Sequence, residues 1–147
     1  VKLTIAWIGK TSDSAIQELT DKYLKRLAYY ANVEGRSFKD EAKLLTSCGR
    51  DGSKVSPTLI ALGSQGKQLS SEDLALFLRK HQESGLAQLL FAVGAANGLS
   101  EQALQKASFT LSLGKMTLSH ELARVVLLEQ LYRAFTILKG HPYHTGH

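Results

Sequence analysis

The last seven residues, His141-Pro142-Tyr143-His144-Thr145-Gly146-His147, place three imidazoles and a phenol directly behind a long apolar helical pattern. Imidazole titrates near neutrality and phenol offers a proton, so the stretch carries groups suited to acid–base work on a bound substrate. It is too short to fold alone, and chain ends default to disorder, so this tail is expected to be pinned against something and used. The histidines recur at every third position, which also presents nitrogen ligands. No thiolate or ordered helix stands beside them to complete a metal shell, so no metal is expected.

A second group of residues offers backbone rather than side chains. Three loops follow apolar runs that read as strands: Leu62-Gly63-Ser64-Gln65-Gly66-Lys67, Gly94-Ala95-Ala96-Asn97-Gly98, and Leu113-Gly114-Lys115-Met116-Thr117-Leu118-Ser119. In open α/β sheets, ligands settle beyond the carboxyl ends of strands, and glycine or alanine there lets main-chain groups approach a flat ring or an amino acid moiety. Each loop alone reads as a tight strand-to-helix turn. Together they predict one small-molecule pocket. Gly-x-Gly-x-x-Gly, the phosphate-loop Gly-Lys-Ser/Thr and Gly-x-Ser-x-Gly are all missing, so a classical dehydrogenase, a nucleotide hydrolase and a serine hydrolase are unsupported.

These residues need elements to position them. Residues 2–8 are β-branched and aromatic and stop at Gly9, which reads as a buried first strand. From about Asp13 to Tyr30, Ile16, Leu19, Tyr23, Leu24 and Leu27 form one helical stripe opposite Lys22, Lys25 and Arg26, with Thr11 or Ser12 as cap. A more polar strand over 33–38, a short helix through Leu45 and a glycine- and serine-rich loop over 47–53 follow; that loop is the expected mobile segment. Thr58 to Leu62 reads as a strand ending at Gly63, and Ser70-Ser71-Glu72-Asp73 as a capping box opening a helix to about Glu83. Leu89 to Val93, a helix from Ser100 to Lys106, a strand from Phe109 to Leu113 and a helix from Glu121 to Lys139 complete the alternation. The expected class is α/β, a mostly parallel sheet with helices on both faces in a single domain over 1–147.

The terminal helix carries apolar residues around nearly its whole circumference, from Leu122 to Leu138. A helix apolar all round is buried all round, and a chain of 147 residues has one sheet face to offer it. The other side is expected to meet a second copy, giving a homodimer built on this helix. Glu129 and Arg133 are four apart and suited to pair with each other.

The single cysteine, Cys48, excludes an internal disulfide, and no apolar run reaches the roughly 20 residues a membrane span needs. A cytoplasmic protein without a membrane partner is expected. The net charge of +5 favours a polyanion only weakly, since acids interleave the bases.

Read in order, Val1-Lys2-Leu3, Phe91-Ala92-Val93-Gly94 with Gly98-Leu99-Ser100, Leu111 through His120, Leu131-Tyr132-Arg133-Ala134 and His141-Pro142-Tyr143-His144 resemble one family along the full chain. It is the small SPOUT methyltransferase family that methylates N3 of a pseudouridine in large-subunit ribosomal RNA. The resemblance implies a C-terminal trefoil knot, a homodimer through the last helix, and S-adenosylmethionine held by backbone. Carried across, the cofactor-binding residues are Leu62, Gly94, Ala95, Gly114, Lys115, Met116, Thr117, Leu118 and Ser119. The tail of one subunit then completes the pocket of the other.

In that frame His144 accepts the ring imide proton, Tyr143 packs on or hydrogen-bonds to the base, and Arg133 stabilises developing negative charge. Arg124, Lys22 and Arg26 are the expected contacts to ribosomal RNA or the ribosome. The chain departs from the family pattern at Gly63, Ala95 and Thr145, where aspartate, glycine and a basic residue are usual. Two other classes remain open: a knotted RNA-binding protein without catalysis, and an unknotted flavodoxin-like small-molecule-binding domain.

Overall fold

A computed structural model describes residues 2–49, 56–84 and 88–143. Strands and helices alternate as β1 (Lys2–Ile8), α1 (Ser14–Leu27), β2 (Asn32–Phe38), α2 (Glu41–Gly49), β3 (Thr58–Gln68), α3 (Ser71–Glu83), β4 (Gln88–Val93), α4 (Glu101–Lys106), β5 (Phe109–Ser112) and α5 (His120–Lys139). The sheet order is β2-β1-β4-β3-β5 and every pairing is parallel. The expected parallel α/β architecture is therefore present.

Side-chain alternation along the strands divides the core in two. Leu3 and Ile5 of β1, Ile60 of β3 and Leu89, Phe91 and Val93 of β4 join Leu27, Leu74, Leu78 and the α5 residues Leu127, Leu128, Leu131 and Phe135 on one face. Ala6, Leu59, Leu90 and Ala92 meet Leu44 of α2 on the other. Small residues at Ala6 and Ala92 let the short helix α2 approach closely. With both faces covered, β4 is a continuous apolar run, as parallel strands require.

Local chemistry sets the helix ends. Ser70, Ser100 and Ser119 each accept a hydrogen bond from the amide three residues on, starting α3, α4 and α5, and a cap of this kind stabilises by about 1 kcal/mol. The α1 cap is Asp13, taking the amide of Ala15 at 2.8 Å, rather than Thr11 or Ser12. Those two residues are engaged elsewhere: Thr11 accepts from Arg124, and Ser12 donates its amide to Glu121. α1 stops at Leu27 rather than Tyr30, whose amide closes a tighter turn on the Leu27 carbonyl.

Two further differences bear on the pocket. β3 does not end at Gly63; it runs to Gln68, with Leu111 of β5 facing both Leu62 and Lys67 while residues 63–66 swing out. Gly66 permits the return, because a Cβ there would stand 2.5 Å from the Thr110 carbonyl oxygen. α5 also finds more cover within its own chain than its composition implied. It lies between α1 and α3, which leaves an outward stripe of Leu122, Val126, Glu129 and Arg133 only partly covered, Leu122 being 47 % exposed. In the 47–53 segment, residues 47–49 are helical and the remainder lies outside the described residues.

Candidate active site

β4, β3 and β5 are neighbours in the sheet, so the loops leaving the carboxyl ends of β4 and β5 converge with the 63–66 excursion within β3. They enclose a cavity of about 270 Å³ lined by Leu62, Gly63 and Ser64, by Val93 through Gly98, and by Leu111, Leu113, Gly114, Met116, Thr117 and Leu118, with His120 and Ala123 of α5 behind. The expected pocket is thus one space. Of the residues proposed to hold a cofactor, Leu62, Gly94, Ala95, Gly114, Met116, Thr117 and Leu118 line it, whereas Lys115 and Ser119 do not. Ser119 is occupied as the α5 cap.

Backbone geometry makes the cradle. At Gly94 an added Cβ would meet the Gly98 carbonyl carbon at 2.4 Å and the Leu99 nitrogen at 2.6 Å, so the loop folds onto the strand end only because no side chain is there. Ala95 and Gly98 bridge, the Gly98 amide reaching the Ala95 carbonyl at 2.8 Å. Gly98 at φ 78° and Gly114 at φ 137° take conformations that favour glycine. The Ser112 hydroxyl holds Gly114 from both sides, accepting its amide and donating to its carbonyl. At Gly63, a side chain would require Thr110 Cγ2, 3.1 Å away, to give by a few tenths of an ångström. Asn97 lies within the second loop selected from the sequence, whereas His120, directly after the third, was not selected.

The tail residues sit elsewhere in the same chain. Tyr143 packs edge-on against Tyr132 and donates its hydroxyl to Glu129 Oε2 at 2.9 Å. Arg133 donates to the same oxygen at 2.7 Å and lies 5.0 Å from the Tyr143 ring centre. Arg133 and Tyr143 are thereby brought together around one carboxylate, on the outward stripe of α5. Glu129 and Arg133 stand 6 and 10 positions beyond Ala123, so this cluster lies about 9–15 Å along the helix from the cavity wall. His144 lies outside the described residues.

Burial and the hydrogen bond to Glu129 push the Tyr143 phenol well above its ordinary range, and burial with the neighbouring Tyr132 raises Tyr30. Arg133 is held in its charged form by the hydrogen bond to Glu129. Ultraviolet titration of the five tyrosines is expected to show late-ionising phenols, with Tyr143→Phe removing the last of them. The folded state binds these protons more tightly, so their stabilising effect is complete below the ordinary phenol pKa of about 10 and is lost as pH climbs beyond it.

The proposed RNA contacts divide. Lys22 is exposed on α1, while Arg26 lies over the rings of Tyr23 and Tyr132 at 5.5 and 5.6 Å. Arg124 is 1 % exposed, stacks 4.2 Å from the Trp7 ring and donates to Thr11 at 2.7 Å. The structure therefore places Arg124 inside, tying the segment after β1 to the start of α5, rather than on a surface open to phosphate. Burial lowers its pKa and Glu121 opposes that shift. Among the described residues, no group of acids, histidines and cysteine is arranged to hold a metal, and no helix is long and apolar enough to cross a membrane.

A family model described as predicted SPOUT methyltransferase matches residues 1–144. The chain belongs to the SPOUT methyltransferase family. A relative in that family, from Koribacter versatilis, is named ribosomal RNA large subunit methyltransferase H and is 52 % identical over 147 residues, covering all of both chains. Among solved structures, a probable methylase family protein from Haemophilus influenzae matches with a TM-score of 0.60 at 12 % identity, over 96 % of this chain and 69 % of that one. The SpoU methyltransferase AviRb from Streptomyces viridochromogenes, in complex with the cofactor AdoMet, matches at 0.50 and 11 % identity, over 95 % of this chain and 61 % of that one. At such low identity the likeness is one of SPOUT fold, and it agrees with the parallel sheet described above.

Proposed function

We propose that this SPOUT chain transfers a methyl group from S-adenosylmethionine to N3 of a pseudouridine in large-subunit ribosomal RNA, working in the cytoplasm as a homodimer. The observation that carries the proposal is the convergence of three glycine-bearing loops on one cavity, in a chain whose relative over its full length is named for ribosomal RNA methylation. The residues fit the cofactor. No lysine or arginine lines the cavity, so a cationic sulfonium meets no lysine or arginine charge there, and the open backbone at Gly98 and Gly114 leaves main-chain groups within reach of a planar ring. Bound there, S-adenosylmethionine supplies a methyl group already activated by a positive sulfur.

The chain's own residues do the rest by placement. The imide nitrogen must lose its proton to become a good nucleophile. Tyr143, held protonated by burial and by Glu129, serves as a packing surface for the base, and His144 is the acceptor assigned to that proton. Arg133, kept cationic by Glu129, stands ready for the negative charge that develops on the ring.

The separation of tail and cavity along α5 supports closure by a second copy. In a two-fold pairing with α5 antiparallel to its mate, the Tyr143 end of one protomer lies over the bare Leu122 end of the other. The trefoil knot belongs to the same proposal.

Calorimetric titration with S-adenosylmethionine, joined to methyl incorporation into ribosomal RNA, tests the proposal. Saturable binding with transfer to pseudouridine is the expected result. RNA binding with no cofactor uptake would instead select a knotted protein without catalysis.

A further inference from the structure

The segment leaving β1 runs beside the cavity and is held there by α5. Trp7 pairs with Val93, so residues 9–13 begin one strand spacing, about 5 Å, from the Gly94–Gly98 loop that lines the cavity. Gly9, at φ 87°, turns the chain. Beyond it, Thr11 accepts the 2.7 Å hydrogen bond from Arg124, whose guanidinium stacks on Trp7, and Ser12 donates its amide to Glu121 Oε2 at 3.2 Å. Glu121 and Arg124 belong to the same opening turns of α5 as His120 and Ala123, which form the back of the cavity. Lys10 is thereby fixed between two parts of the cavity wall without lining it.

Lys10 is exposed, and so is Lys39, which follows Phe38 on the neighbouring strand. The Gly9 amide donates to the Phe38 carbonyl at 2.9 Å, so the two lysines stand side by side at the carboxyl edge of the sheet. Among the described residues neither enters an ion pair. The acids nearest them in sequence are turned to other partners. Asp13 accepts the Ala15 amide, Asp40 the Lys43 amide, and Glu41 the amide and hydroxyl of Ser100. A lysine ammonium is a compact point charge suited to phosphate, and phosphate contacts fix the register of a nucleic acid without reading its sequence.

We infer that Lys10 is a substrate-binding residue, contacting a backbone phosphate of the ribosomal RNA beside the target nucleoside, with Lys39 adding positive potential next to it. The inference rests on the proposed methylation of ribosomal RNA and names the edge along which that substrate lies. Arg124, buried against Trp7, holds the segment that carries this contact rather than making it. Because Lys10 contributes no atom to the cavity, its charge bears on the RNA and not on the cofactor.

Lys10→Ala is expected to raise KM for ribosomes about tenfold at low salt, the worth of one hydrogen bond to a charged group, with kcat and S-adenosylmethionine affinity near those of the parent. Lys10→Arg keeps the charge and should recover most of the loss. The dependence of log(kcat/KM) on log salt should become shallower by about one in Lys10→Ala, as for a lost phosphate contact. Lys106→Ala removes the same charge at the end of α4, three residues before β5 begins and so at the opposite edge of the sheet, and is expected to change none of these quantities.

A KM for Lys10→Ala within about twofold of the parent, below the worth of such a bond, would overturn the inference. So would an equal loss in Lys106→Ala, or a loss confined to kcat or to cofactor affinity. The underlying proposal fails separately. If the parent transfers no methyl group to ribosomal RNA, the proposed reaction is wrong, and Lys10 is then judged by direct binding of ribosomal RNA, standing on a Lys10-dependent, salt-sensitive affinity and falling without one.

Discussion

Chains carrying His144→Ala lose about a hundredfold or more in turnover at saturating cofactor, the range for removal of a positioned acid or base, with S-adenosylmethionine binding unaltered. The same variant reports whether the tail works within its own protomer or across to the next. Equal amounts of His144→Ala and Gly94→Val chains, each inactive alone, are mixed after dissociation and reassociated. A mixed dimer pairs an intact cavity on the first chain with an intact tail on the second. If the tail crosses, roughly a quarter of the parental sites return, since half of randomly paired dimers are mixed and each holds one complete site. If the tail serves its own cavity, nothing returns, because each chain retains its own defect. A loss below about threefold for His144→Ala alone would rule out His144 as the proton acceptor.

The second large effect is expected at Gly94. Its missing Cβ is replaced by the backbone of Gly98 and Leu99 at 2.4 and 2.6 Å, and backbone cannot step aside as a flexible side chain can. Gly94→Ala is expected to displace the 94–98 loop, at about 1–3 kcal/mol by analogy with overpacked cores, lowering Tm by several degrees and S-adenosylmethionine affinity at least about tenfold. Gly98→Ala is the control. Open space surrounds that position, and only its positive φ of 78° resists the substitution, a strain of about 1–2 kcal/mol. Calorimetry on both variants should rank Gly94→Ala well above Gly98→Ala in lost affinity. The reverse order would mean that the loop is not the cradle described here.

The fold was readable because strand and helix patterns alternate cleanly and each strand ends at glycine or a polar turn. The pocket was readable for a related reason. Loops at the ends of adjacent parallel strands must meet, and the runs beginning at Leu62, Gly94 and Leu113 were visible as such. What escaped depends on contacts distant in sequence. Thr11 and Ser12 resemble helix caps but serve α5, some 110 positions later, and this freed Asp13 to cap α1. Nothing near Arg124 announces Trp7 as its neighbour, so a basic residue interrupting an otherwise apolar helix passed for a surface contact. The return of β3 after residue 66 hinges on one glycine against Thr110, a contact set by the β5 register. The pairing of Glu129 with Arg133 was legible from spacing alone, whereas the arrival of Tyr143 on the same carboxylate was not.

The excursion of residues 63–66 is anchored to Leu111 on both sides, at Leu62 before it and at Lys67 after it. An excursion of four residues stitched down at each end has little reach over an incoming molecule. This wall of the pocket is set before anything arrives, so along it discrimination among nucleoside-bearing donors rests on complementarity of shape rather than on closure, and a lengthened loop would forfeit selectivity before it forfeited folding.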